Sequence, residues 1–544
     1  MFSFFKLPKL AWYNNSKSEN HLTYCLLCLI FFAIAIFLRY PDFILDPRVW
    51  AEDRIYIETF LGGDNWWDGF DALMYPSYYT FLPRFGAMLA SFVDISRAPL
   101  ILNLFGFLVL FIPLLIIFLT NSQYWENLQQ KIILSLFLIL SCSTGEIWLT
   151  SINLGFIGPI ITFLILLDDN LKSKTKTTIY TFLICINSIN GVLSLLMAPF
   201  FLLRLIRKRE KPVFYYCLAF LIFGSFHLLF YYISNQIGTG NVNRMDGMWG
   251  IIGGGDLMVS PEHRLIYLFQ FNLIFPLFGY YLSYVFRVIF ELINNLGASS
   301  SYISLIIGVL PHSLDQLFLG TVKYASLLSG FINILITSLI TFFIYYIFKS
   351  SRLTEKINFL GIYIFLSLLI SFLSIGGHGG FRYSYITSFI LLFYLYVLSN
   401  KANISNRKRS ISRMLIIFSL TIGTIEYKSR TLSFTPNTFL ASTVYIEWPR
   451  WEDEVARWKK DNLYKPVTWP YLKNKDLFFS EKNTIYSINL NEAEDWNREG
   501  RNKFSVSLKK LLKGEKLIKN IKSIDSASIH VEDINQYVKE TGDL

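Results

Sequence analysis

Charge is scarce in this sequence. Only 16% of its 544 residues are Asp, Glu, Lys or Arg, against about a quarter in a soluble globular chain. The deficit is uneven, because long stretches carry no charge while the segment from 426 onward is rich in it. With 53% hydrophobic and 17% aromatic residues, that pattern excludes a single soluble domain and reads as a polytopic membrane protein with a soluble tail.

Cysteine is scarce too, and the five present, Cys25, Cys28, Cys142, Cys185 and Cys217, all fall inside apolar runs. The tail has none, so it must fold without disulfides. Cys25 and Cys28 form a CxxC, but redox chemistry needs a polar, accessible setting that a membrane span lacks; they read as small packing residues. Also missing are a phosphate-binding nucleotide loop, a dinucleotide fingerprint and a serine-nucleophile elbow. His227, His263 and His312 have no metal-ligand spacing. No cofactor is evident, and a divalent cation is left open. The net charge of +11 does not signal nucleic acid, since most basic clusters sit in short segments between apolar runs, where they orient the chain in a membrane.

What is present is hydrophobic run after hydrophobic run. Taking roughly 20 apolar residues per crossing, about thirteen spans are expected, near 22–38, 99–119, 131–147, 152–167, 177–190, 192–205, 213–233, 265–289, 302–318, 325–348, 358–376, 384–399 and 412–425. The first run ends in "FLRYPD" without a small-residue cleavage site, which predicts an uncleaved span. The basic loops 172–176, 204–211, 349–356 and 406–413 then share one side with the N-terminus, residues 1–21. The positive-inside rule makes that side cytoplasmic. The expected fold is therefore an α-helical polytopic membrane protein with its N-terminus in and its C-terminus out. The membrane domain covers 22–425, and 426–544 forms a small soluble α/β domain on the outer side.

The outer loop 39–98 is long and dense in Trp and Tyr, as befits chain lying at the membrane–water interface; residues 83–93 are predicted to form a short amphipathic helix. In the tail, Trp448, Trp451, Val455 and Trp458 recur at helical spacing, and Asp453 precedes Arg457 by four residues, a supportive pairing. That apolar face packs on its own domain or on the bilayer, or else offers an aromatic platform to a sugar ring.

The chemistry-bearing residues gather at outer span ends. Glu52 and Asp53 follow the first span in "DPRVWAEDR", with Asp46, Asp64, Asp68 and Asp71 nearby. Carboxylates near hydrocarbon are costly and commonly functional, although a helix end reaching for water gives the same pattern. Arg54 beside them would hold a carboxylate ionised, as a general base requires. Glu146 and Asn153 flank a turn in "STGEIWLTSINLGF", and His378, Arg382 and Tyr383 lie in "SIGGHGGFRYSY". Glycine-rich turns bring backbone amides to an anion and arginine grips phosphate with two donors; the plainer reading is a tight loop.

In order along the chain, "WAEDRIYIETF", "LPRFGAMLA", "GEIWLTSINLGF", "GVLSLLMAPFFLLR" and "GGFRYSY" resemble segments of the GT-C superfamily of polyprenyl-phosphate-sugar-dependent glycosyltransferases. Within it they are similar to the bacterial and phage serotype-converting O-antigen glucosyltransferases. Where that group leads one to expect a glycine after the acidic pair, this chain has Arg54. The resemblance implies an inverting transfer of a hexose, glucose first, from undecaprenyl phosphate to a lipid-linked O-antigen unit. The setting would be the periplasmic face of a bacterial inner membrane, with a separate donor synthase and flippase. Taken with the residue chemistry above, the candidates are Asp53, or Glu52, as catalytic base, and Arg382, His378, Tyr383, Arg84, Glu146, Asn153 and Arg54 as substrate-binding residues. Two rivals remain open: a flippase for lipid-linked saccharides and an O-antigen polymerase.

Overall fold

The computed structural model describes residues 20–39, 41–49, 53, 56–57, 60, 68–71, 79–141, 148, 151–171, 173–237, 272–273, 275–278, 361–364, 366–367, 384–400, 405–425, 450–461, 464 and 466. Among them there is helix and no strand. The main helices are α1 (Asn20–Arg39), α2 (Phe81–Ser91), α3 (Ala98–Leu119), α4 (Leu128–Leu140), α5 (Gly158–Leu167) and α6 (Lys174–Ile189). They continue with α7 (Ala198–Lys208), α8 (Lys211–Ile237), α9 (Ser384–Asn400), α10 (Asn406–Ile425) and α11 (Trp451–Lys460). Apart from α2 and α11, each coincides with an expected span. The expected spans 302–318 and 325–348 lie outside the described residues, as does most of 265–289, of 358–376 and of the tail domain with its expected α/β fold.

The helices are apolar over too much of their surface for water. On α1, Cys25, Leu29, Phe32 and Ile36 are buried on one face, while Leu22, Leu26, Leu27, Ile30, Phe31, Ile34 and Leu38 stand exposed on the rest. On α8, Leu218, Leu221, Ile222 and Leu228 do the same. Exposed apolar area costs about 25 cal/mol per Å² in water, so a stripe this large has hydrocarbon as its natural solvent. Segments 22–39, 95–119 and 211–230 are long and apolar enough to cross a membrane. The chain is a helical membrane protein.

Local signals place the ends. Asn127 and Gln130 form a reciprocal capping box at the start of α4, Ser173 caps α6, and α7 stops at Arg209, whose φ of 51° cannot continue a right-handed helix. At the centre lies α9, buried from Ser384 to Ser399. Its rings interleave with those of earlier helices: Phe393 meets Phe163 at 5.4 Å and Tyr124 at 5.6 Å, and the Tyr385 hydroxyl donates to the Leu138 carbonyl at 2.9 Å.

One end of the bundle is stitched by charge. Buried Asp168, just past α5, accepts from the Tyr180 hydroxyl at 2.6 Å and pairs with Lys176 at 2.5 Å. Arg204 donates to the Leu166 and Asp168 carbonyls and forks onto Glu210 at 2.9 and 2.6 Å. Lys131 places its ammonium 2.9 Å from the Phe118 carbonyl at the C-terminal end of α3, where a cation is favoured. The other end of α5, at Gly158, carries a different set of polar residues.

Candidate functional site

Asp53 is helical, as are Tyr56, Ile57 and Phe60, and the four are buried, at the offsets of three, four and seven that share a helical face. This turns Asp53 inward, to 2% exposure. It is met there by Ser151, whose hydroxyl donates to Asp53 Oδ1 at 2.6 Å across 98 residues of sequence. Ser151 precedes a 3₁₀ turn, Ile152–Phe156, that carries buried Asn153. Two stretches singled out separately in the sequence, "WAED" and "TSINLGF", therefore converge on one carboxylate.

A polar floor lies under α2. Leu82 donates its backbone N–H to Asn190 Oδ1 at 2.7 Å, and Asn190 is the residue that ends α6. Tyr79 donates its backbone N–H to His227 Nδ1 at 3.4 Å, which leaves His227 Nε2 to donate to the Ser188 carbonyl at 2.9 Å. Asn187 and Ser194 press on Gly158: a Cβ there would stand 2.5 Å from Ser194 Oγ and 2.8 Å from Asn187 Oδ1. Only glycine lets α5 start that close to α6.

Arg84, at 1% exposure, lies on α2 and turns its guanidinium to the protein's own backbone. Nη1 donates to the carbonyls of Gly69 at 2.7 Å and Phe70 at 3.4 Å, and the group lies over the Tyr79 ring at 4.5 Å. The Tyr79 hydroxyl donates to Phe70 as well, at 2.9 Å, and Tyr56 and Thr80 share a hydrogen bond of 2.7 Å. Arg84, a candidate substrate contact, also ties α2 to the short helical turn Asp68–Asp71 that follows the acidic motif. Of the carboxylates near the acidic pair, Asp46 has cationic neighbours. Asp46 is paired with Arg48 at 2.7 Å and approached by Arg450 at 3.8 Å.

Of the remaining candidates, Glu52, Arg54, Glu146, His378, Arg382 and Tyr383 lie outside the described residues. Asp53, Asn153 and Arg84 are brought to the same end of the bundle. Missed in the sequence were Ser151, Asn187, Asn190 and His227. "CINSIN", three polar residues in an expected span, was the available signal, because polar groups in hydrocarbon need partners. Among the described residues no three His, Cys, Asp or Glu side chains come together as a metal site would require.

The tail seats itself on this end. Trp451 donates its Nε1–H to the Ile95 carbonyl at 2.8 Å, Lys459 pairs with Asp94 at 2.9 Å, and Trp451 and Val455 join Val49, Tyr56, Ile57, Phe60, Ala87, Met88 and Ala90 in one buried cluster. Among the described residues, the face of α11 that carries Trp451, Val455 and Trp458 thus packs on the segment from Val49 to Leu102. Trp448 lies outside the described residues. Arg457 reaches back to buried Glu454 at 3.4 Å instead of pairing with Asp453, since Glu454 is the acid with the inward position; Tyr464 also donates to it, at 2.6 Å.

Searches against family models, characterised proteins and solved structures returned no match to this chain.

Proposed function

We propose that this membrane protein is an inverting glycosyltransferase that moves a hexose, glucose first among the candidates, from a polyprenyl phosphate to a lipid-linked saccharide. The observation that carries the reading is the inward-facing carboxylate of Asp53, oriented by the Ser151 hydroxyl at the end of a bundle of apolar helices. A lipid-linked donor presents its phosphate at headgroup depth, so a site at a bundle end suits it. Such a donor already carries its leaving group and needs no nucleotide site.

In this reaction the acceptor hydroxyl loses its proton to the Asp53 carboxylate as its oxygen attacks the anomeric carbon. The bond from that carbon to the phosphate oxygen breaks, and its electron pair leaves with the polyprenyl phosphate. A general base contributes about 100- to 10,000-fold to such a step, and the carboxylate charge also favours an oxocarbenium-like transition state. Ser151 fixes the orientation of the carboxylate through Oδ1. Arg382 is the residue proposed to receive the charge growing on the leaving phosphate.

The test is direct. Purified protein is incubated with polyprenyl-phosphate glucose and a lipid-linked oligosaccharide, and the product is followed by mass. Transfer by the native chain and its loss in Asp53→Asn supports the reading. Passage of an unchanged lipid-linked saccharide across a reconstituted bilayer, without transfer, would replace it with a flippase.

A further inference from the structure

The tail helix meets the segment that bears Asp53. Trp451 and Val455 share a buried cluster with Val49, Tyr56, Ile57 and Phe60; Val49 lies in the stretch before Asp53, and the other three follow it at helical offsets. Arg450 approaches Asp46 at 3.8 Å, seven positions before Asp53. On the far side, Trp451 Nε1 is fixed on the Ile95 carbonyl and Lys459 on Asp94, both in the turn that leads into α3. The helix thus touches the acidic segment and a membrane-spanning helix at once. Trp451 and Lys459 on α11, with Arg450 just before it, make the polar contacts to these segments, and Trp451 and Val455 the apolar ones.

We propose that α11 is a clamp on the acidic segment, and that Trp451 is a positioning residue for Asp53. The inference rests on the transferase reading for its catalytic consequence, but not for its mechanical one. Three physical arguments favour it. A carboxylate acting as base must be held in productive geometry, and a small displacement costs a large part of its effect. The helix carrying Asp53 has apolar residues beside the acid, and α11 covers them; without that cover they would meet water at the bundle end. Finally, a tail placed this way lets events in the soluble domain reach the base without contact with substrate.

Two measurements separate the clamp from the chemistry. In a chain whose native cysteines are replaced by alanine, Asp53→Cys is labelled with a membrane-impermeant maleimide, with and without Trp451→Ala. Release of the clamp raises the labelling rate at least about tenfold, as expected when a protective local closure is lost. An unchanged rate in folded Trp451→Ala protein overturns the proposal. In the second, turnover is measured in Trp451→Ala protein that retains Asp53. The expected result is about a tenfold fall in kcat with the KM of donor and acceptor unchanged. Recovery is expected in Trp451→Phe, which keeps the ring, and when cysteines at 94 and 459 are bridged by a short bis-maleimide. A fall that neither Trp451→Phe nor the bridge repairs marks a general loss of structure and also overturns it. If the native chain transfers no sugar while labelling responds to Trp451→Ala, the clamp stands and the transferase reading falls.

Discussion

Ser151 and Asp53 are 98 positions apart and share a hydrogen bond of 2.6 Å in the buried end of the bundle. A hydroxyl donor on a carboxylate fixes which lone pairs remain for other partners, and hydrogen bonds to charged groups contribute about 1.5–3 kcal/mol. Asp53→Asn should therefore abolish transfer by about 100- to 10,000-fold. Ser151→Ala should lower it by about tenfold while leaving expression and membrane insertion intact. Product mass per folded molecule measures both, and wild-type turnover in Asp53→Asn would refute the assignment.

Arg84 separates a framework role from a substrate role. Its truncation removes the guanidinium donor from the Gly69 carbonyl and leaves a hole beside Tyr79, so Arg84→Ala should destabilise the folded protein by about 2–4 kcal/mol. Thermal unfolding in detergent gives the number. A variant with unaltered unfolding and weakened donor binding would return Arg84 to the substrate-contact role expected from the sequence.

The docking of α11 has a defined pH response. The hydroxyl and amide of Ser96, followed by Lys459, hold the Asp94 carboxyl below its ordinary value of 3.8. A depressed carboxylate stabilises the fold fully above the unfolded value and loses that contribution as pH falls through the folded one. The contact should thus be unchanged from pH 8 to pH 5 and weaken only below about pH 4. The pair is half-exposed, so high salt should loosen it as well. Hydrogen exchange over residues 94–98 and 451–460, corrected for intrinsic rates, reads this; protection lost already at pH 5.5 would contradict it.

Arg382 stands between the "GGHGG" stretch and the start of α9 in the sequence. Lysine keeps its charge but not its planar fork, so Arg382→Lys should reduce turnover clearly and Arg382→Ala should lose nearly all of it. Both are measured as transfer per folded molecule alongside donor binding in detergent. Normal activity in folded Arg382→Ala protein excludes a phosphate clamp there.

Orientation is tested with reporter fusions placed after residue 430. Activity in a periplasmic reporter and silence in a cytoplasmic one is expected from the basic loops; the reverse would move the proposed site to the other face.

Helix positions were legible because hydrophobic run length and capping residues are local properties. α3 begins at Ala98 and α4 is capped by Asn127, close to where hydropathy and polar punctuation put them. The site was legible only as fragments. Asp53 and Asn153 stood out by chemistry, but the Ser151 partnership depends on two distant segments meeting in space, which no spacing encodes. His227 was read as a lone histidine because its partners are backbone groups of Tyr79 and Ser188, and backbone partners leave no mark in the sequence. The tryptophan face of α11 announced that something covers it; which surface does so was set by the shape of a module about 360 residues upstream.

The burial of α9 has a consequence for how the protein is made. Its neighbours α4 and α5 are synthesised well over two hundred residues before it, and they present Phe137 and Phe163 to Tyr396, Phe389 and Phe393. Until residue 384 leaves the ribosome, those helices border a slot about 10 Å wide, the diameter of one helix. Until then α4 and α5 stand in the membrane without the helix they pack on, its place filled by lipid or by the insertion machinery, and a chain that stops before α9 leaves those aromatic faces uncovered.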